Sequence, residues 1–187
     1  MSEVAANLPE RMTVAEFLEW NDGTDARYEL VDGRVVAMAP PAPVHSLIAA
    51  NIARVLGNRL KPPCRALVEY GVRLPHDDRS WFQADVAVVC GDIPQRGPGP
   101  EPVVVVEVVS RSSFDHDRGR KTHDYKRLSA CRCILIVESE RRHVERWTRY
   151  GEEWIVRDHI GERGPVPVDG VDVVLDLAEI YDGVGFD

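Results

Sequence analysis

Apolar and polar positions change period several times along the chain, and each change marks an element. Thr13, with Glu16 three residues on, forms a capping-box pattern that predicts a short helix through Phe17, Leu18 and Trp20. Tyr28-Glu29-Leu30-Val31 and Arg34-Val35-Val36-Ala37-Met38 flank Asp32-Gly33, a dipeptide whose tolerance of positive φ predicts a tight hairpin turn. Pro40, Pro41 and Pro43 break the strand pattern. Beyond them Leu47, Ile48, Ile52, Val55, Leu56 and Leu60 recur at helical intervals, predicting an amphipathic helix from about Val44 to Leu60 that Lys61-Pro62-Pro63 ends.

The next elements read as strands, around Ala66 to Leu74 and from about Phe82 to Cys90, joined by a polar turn at His76-Asp77-Asp78-Arg79. A Gly- and Pro-rich stretch from Gly91 to Pro102 predicts an exposed loop, and the valine run Val103 to Val109 a further strand. From about Phe114 to Ala130 the pattern is a charged helix with few apolar positions, among them Tyr125 and Leu128. Strands follow at Ile134 to Val137, Val144 to Tyr150, Glu153 to Arg157 and Val173 to Leu175, with a short turn or helix at Leu177 to Ile180. Strands before, between and after two main helices predict an α/β fold, a mixed sheet with helices on both faces.

Length and composition narrow the class. A chain of 187 residues suits one α/β domain spanning 1–187, with residues 1–12 expected as a flexible tail. The N-terminal stretch has no basic start, and no run approaches the roughly 18 apolar residues of a membrane span, so a soluble cytoplasmic protein without membrane partners is expected. The formal net charge of -8 argues against coating nucleic acid through bulk electrostatics. It leaves a nuclease open, because bound divalent ions reverse the local sign of an acidic site. Cys64, Cys90, Cys131 and Cys133 lack zinc-site spacing, and reduced, mostly buried thiols are expected. Cys131 and Cys133, two apart ahead of a strand, would share a face there and could pair on a metal or as a redox couple.

Candidate chemistry lies in two carboxylates. Asp85 heads Asp85-Val86-Ala87-Val88-Val89, and Glu107 lies in the valine run, where an ionised carboxylate between two covered faces is costly without compensation. If the two strands are adjacent, both carboxylates and the Val108 carbonyl could converge on one Mg²⁺, which accepts one or two protein carboxylates and keeps several waters. Lys121 follows on the charged helix and could orient the attacking water or stabilise phosphoryl charge. It could equally pair with Asp117 on the same helical face, as Asp85 could cap a turn and Glu107 pair with Arg111. Glu29 is open between ligand and surface residue. Arg111, Arg118, Arg120, Lys126 and Arg127 form one basic group, Arg141, Arg142 and Arg146 another; either could contact phosphates or be a solvated face. The absence of a Gly-rich phosphate loop counts against a nucleoside-triphosphate enzyme.

Taken together, Tyr28-Glu29-Leu30-Val31-Asp32-Gly33, Pro43-Val44-His45, Gln83-Ala84-Asp85, Val106-Glu107-Val108-Val109-Ser110, Asp117-Arg118-Gly119-Arg120-Lys121 and Tyr125 resemble the Uma-type restriction-endonuclease-like family, a branch of the PD-(D/E)XK nuclease superfamily. The resemblance runs from about Thr13 to Trp147. It implies a restriction-endonuclease-like fold and a Mg²⁺- or Mn²⁺-dependent endodeoxyribonuclease. Catalytic roles fall to Asp85, Glu107, Lys121 and Glu29, metal ligation to Asp85, Glu107, Val108 and Glu29, and substrate contacts to His45, Arg118 and Tyr125. Two positions depart from the superfamily pattern: Ala84 stands for the proline before the aspartate, and Val109 for the lysine, which the resemblance moves to Lys121. The implied partner is nucleic acid, with DNA expected, and a homodimer would suit duplex cleavage. A catalytically inactive binding or assembly module on the same fold, and a hydrolase of a small phosphate compound, are the alternatives.

Overall fold

The computed structural model of this chain describes residues 11–110 and 114–186, the side chains of 114–118 excepted. Of the tail expected over 1–12, residues 1–10 lie outside that description, and the Met12 amide donates to the Gly33 carbonyl at 2.7 Å. Helix α1 (Val14–Glu19) opens on the expected box: the Thr13 hydroxyl accepts from the Glu16 amide while the Glu16 carboxylate accepts from the Thr13 amide. Strands β1 (Tyr28–Val31) and β2 (Arg34–Ala37) form the hairpin, with Asp32 at φ 50° and Gly33 at φ 79° in its turn. Helix α2 (Pro43–Arg59) starts on a proline, whose missing N–H costs nothing in the first turn, and buries Ile48, Ile52, Val55 and Leu56.

Strands β3 (Cys64–Arg73), β4 (Trp81–Cys90) and β5 (Val104–Val109) precede α3 (Phe114–Tyr125). Then come β6 (Cys133–Glu138), β7 (His143–Tyr150), β8 (Glu153–Ile160), β9 (Pro165–Val168), β10 (Val173–Asp176) and α4 (Leu177–Ile180). The main sheet runs β2-β1-β4-β5-β6-β7-β8, with β3 also paired to β4. Its pairs are antiparallel except β5 with β6, which run parallel and are joined through α3. Strand β9, missed in the sequence because of its prolines, pairs with β10 in a separate two-stranded sheet.

The valine-rich strands are covered on both faces, as predicted. On one face Val104, Val106 and Val108 of β5 meet α2, β9, β10 and α4; on the other Val105 and Val109 meet Tyr125 of α3 and Leu128 just beyond it. Helix α3 is shorter than the expected 114–130, ending at Tyr125.

Strand β4 holds the feature that shapes the site. Strand β3 pairs with it on both sides of an interruption at Glu69 and Asp85, so β1, which meets β4 at Trp81, and β5, which meets it at Val86 to Val88, must share its other edge. Between them lies a notch bordered by Gln83 and Asp85. Side-chain alternation also reverses there: Phe82 and Ala84 pack on the α3 face, but Val86 and Val88 on the α2 face. Glu69, opposite Asp85 in the register, has φ 51°, a left-handed backbone that non-glycine residues seldom adopt.

The cysteine expectation is corrected. Cys64 and Cys90 face each other at the last rung of the β3–β4 ladder and form a disulfide. The sequence hid this because the pairing depends on register across 26 residues. Cys131 and Cys133 are free and buried but pack on opposite faces, since Cys131 precedes β6; burial pushes both thiols up to about 12, so neither is a ready ligand or nucleophile.

Candidate active site

The notch between β1 and β5 gathers the residues singled out in the sequence. Glu29 enters from β1, and its Oε1 accepts the Gln83 amide of β4 at 2.8 Å. A carboxylate here takes a ladder position that no strand fills, which satisfies a donor that burial would otherwise strand. Asp85 lies in the middle of β4, not at a strand start, and its Oδ2 accepts the Val108 amide of β5 at 2.7 Å. The turn-cap reading of Asp85 is therefore corrected. N–H and C=O of one extended residue point to the same edge, so the Val108 carbonyl also faces this notch; that of Val109 faces the other way and accepts the Ser139 amide.

Glu107 projects from β5 to the α3 face and is 4% exposed. Helix α3 turns Lys121 and Tyr125, one helical turn apart, towards it. The Lys121 ammonium lies 2.7 Å from Glu29 Oε1 and 3.7 Å from Glu107 Oε1, and 5.9 Å from the Phe82 ring centroid. Lys121 thus faces the carboxylates, and at 7% exposure it is no surface residue.

Tyr125, for which the resemblance implies a substrate contact, lies on the inner side of the notch. Its side chain is fully buried, its ring edge-on to Phe82, and its hydroxyl donates to Glu107 Oε1 at 2.6 Å. It orients the carboxylate from behind. The side chain of Arg118 and all of Arg111 lie outside the described residues. Arg120 is engaged by Asp32 at the tip of the β1–β2 hairpin, Arg127 approaches Asp124 at 4.0 Å, and Lys126 lies over the Trp147 ring. The basic face expected around α3 is therefore partly committed to intramolecular contacts.

His45, in the first turn of α2, approaches from the opposite face, with Nε2 at 3.2 Å from Asp85 Oδ2. The hydrogen bond to Asp85 raises its pKa against the opposing effect of burial, and the Val108 carbonyl adds to the rise. Burial pushes Glu107 up to about 8; Lys121 and the Tyr125 hydroxyl pull it down, while Asp85 and Glu29 add to the rise. The same burial, with Glu107 beside it, raises Tyr125 well above an ordinary phenol.

Three carboxylates, one ammonium and one imidazole thus meet around a notch that opens beside Asp85, whose side chain is 17% exposed. The donors suit a hard cation: carboxylate oxygens, a main-chain carbonyl, and a buried acid short of neighbouring positive charge. Among the described residues no three acidic, histidine or cysteine side chains are grouped to hold an ion by themselves. A cation here would rely on Asp85, Glu107 and the Val108 carbonyl, with water and substrate completing its shell.

A mixed sheet that sets acids on neighbouring β4 and β5, with a parallel β5–α3–β6 unit beside them, defines a restriction-endonuclease-like domain. The chain belongs to the Uma2 family, described as "Putative restriction endonuclease", whose family model matches residues 14–177. It shares its fold with a crystal structure from Anabaena variabilis ATCC 29413 described as "a putative nuclease belonging to DUF820". The TM-score is 0.73 and the identity 16%, covering 91% of this chain and 97% of that one. Two uncharacterized proteins of Synechocystis sp., slr1290 and sll1609, are 22% and 21% identical to it, covering 94% and 83% of this chain and 94% and 91% of theirs. The family's description points to a nuclease. No helix among the described residues is long and apolar enough to cross a membrane.

Proposed function

We propose that this protein is a divalent-metal-dependent phosphodiesterase that hydrolyses DNA. The observation that carries the reading is the meeting of Glu29, Asp85, Glu107 and Lys121, drawn from three strands and a helix, in one notch of the sheet. Asp85, Glu107 and the Val108 carbonyl would hold Mg²⁺ or Mn²⁺, which when bound polarises a phosphoryl oxygen and acidifies an attacking water.

The other groups position or compensate. Glu29, anchored by the Gln83 amide, holds the Lys121 ammonium where it can meet negative charge developing on the phosphoryl oxygens. Tyr125 holds the Glu107 carboxylate, and His45 holds Asp85 from the α2 side. The half-buried setting lowers solvent screening, which strengthens each of these interactions.

Cleavage of supercoiled and linear DNA with Mg²⁺ or Mn²⁺ tests the reading: Asp85→Ala and Lys121→Ala should each lose activity by orders of magnitude, and retained activity in both refutes the assignment. A second reading, an inert scaffold on this fold, has one observation in its favour: Lys121 and His45 already balance charge among the carboxylates. Calorimetric titration with Mn²⁺ separates the two, since the scaffold predicts no binding and the enzyme predicts binding that Asp85→Ala abolishes.

A further inference from the structure

Beside the notch, outside the set of groups already assigned, sits an ion pair between Arg27, just before β1, and Glu69 of β3. Its position is specific. Glu69 stands opposite Asp85 in the β3–β4 register, on left-handed backbone, and its carbonyl accepts the Gln83 side-chain amide at 3.4 Å. Gln83 in turn gives its main-chain amide to Glu29. Arg27 precedes Glu29 by two residues, and its partner neighbours Asp85 across the β3–β4 ladder, which sets the guanidinium beside the notch on its β3 side.

We propose, resting on the phosphodiesterase reading, that Arg27 is a phosphate-binding residue for the nucleic-acid backbone next to the scissile bond, and that Glu69 holds its place in the free protein. The chemistry of exchange is simple. A carboxylate and a phosphodiester both present two oxygens to a guanidinium fork, so one replaces the other without moving the arginine far. Both side chains are open to solvent, Arg27 at 33% and Glu69 at 55%, so the pair is accessible to an incoming strand and weakly held in water. Glu69 holds its contact with Arg27 from uncommon left-handed backbone, and residues in such conformations gather at functional sites. With a net charge of -8, the protein cannot rely on its overall field to hold DNA, so a local arginine at the notch matters more.

The test is binding of a fluorescent DNA duplex in a chelating buffer, followed between about 50 and 200 mM salt, where each lost phosphate contact lowers the slope of log affinity against log salt by about 0.9. Arg27→Ala should show that smaller slope and a several-fold weaker affinity at low salt. Glu69→Gln should bind several-fold tighter, but no tighter than Arg27→Ala when combined with it. An unchanged slope in Arg27→Ala overturns the proposal. So does an equal gain from Glu69→Gln with and without Arg27, since that gain would be repulsion of DNA by Glu69 alone. Metal-dependent cleavage that is lost in Asp85→Ala, together with an unaltered slope in Arg27→Ala, sinks the arginine assignment and leaves the phosphodiesterase intact. Absence of DNA binding by the unaltered protein overturns the arginine assignment, while the phosphodiesterase reading stands or falls on the cleavage assay.

Discussion

Replacing Glu107 by glutamine separates the cost of burying a charge from the cost of losing a side chain. Burial moves this carboxyl from 4.5 to about 8, with Lys121 at 3.7 Å offsetting only part of the penalty because its closer contact is with Glu29. A carboxyl that binds its proton more tightly in the folded state stabilises the fold below its unfolded value and loses that contribution as pH rises through the folded one. Stability of the metal-free protein should therefore decline between about pH 4.5 and 8. At about 1.4 kcal/mol for each tenfold change in proton affinity, the decline attributable to Glu107 is on the order of 5 kcal/mol. Glutamine keeps an oxygen for the Tyr125 hydroxyl and cannot ionise, so Glu107→Gln should match the unaltered protein near the acid end and exceed it by several kcal/mol above about pH 8. Urea unfolding in EDTA across this range measures both curves. Parallel curves would refute the reasoning, because they would mean that Glu107 is ionised or protonated alike in the folded and unfolded chains. Mn²⁺ should flatten the curve of the unaltered protein, since metal binding is linked to loss of the ligand proton.

Lys121→Met strips the ammonium from Glu29 and should cost roughly 3 to 5 kcal/mol at neutral pH, where Glu107 holds its proton, and more above about pH 8, where Glu107 ionises beside Glu29; thermal melts at two pH values check this. Ile52→Ala opens a cavity where α2 packs on the sheet, with an expected loss of roughly 2 to 5 kcal/mol in urea unfolding and the carboxylate geometry retained. Glu138 is held below its ordinary value chiefly by the hydrogen bond from Arg141, with His143 adding to the effect against burial. Its contribution is present above its unfolded value of 4.5 and is lost as pH falls through the lower folded one, so Glu138→Gln should shallow the acid limb of the stability curve. An acid limb unchanged by that substitution would refute the assignment.

The hairpin, α2 and the two-sided strands were legible because their signals are local: Asp32-Gly33 demands positive φ, and the valine runs leave no polar face. The set Glu29, Asp85, Glu107 and Lys121 came from motif order and resemblance, and its closeness in space depends on β1 and β5 sharing one edge of β4, which no local pattern records. Periodicity puts Tyr125 on the face of Lys121 without telling depth, and its ring packs in the core edge-on to Phe82. The disulfide and the reversed alternation at Asp85 were invisible for one reason. Each depends on which residue of β3 stands across from which residue of β4.

The notch has two kinds of mechanical support. Glu29 and Asp85 are tied to neighbouring main-chain amides, so the distance between them is set by the ladder itself, the part of such a molecule that opens last. Lys121 arrives on a twelve-residue helix that side-chain contacts hold to the sheet: its own ammonium on Glu29, Tyr125 against Phe82 and Glu107, and Arg120 on Asp32. On warming, the helix should lift away while the acids keep their spacing. Catalysis would then fade at a lower temperature than the sheet melts, and would return on cooling without refolding.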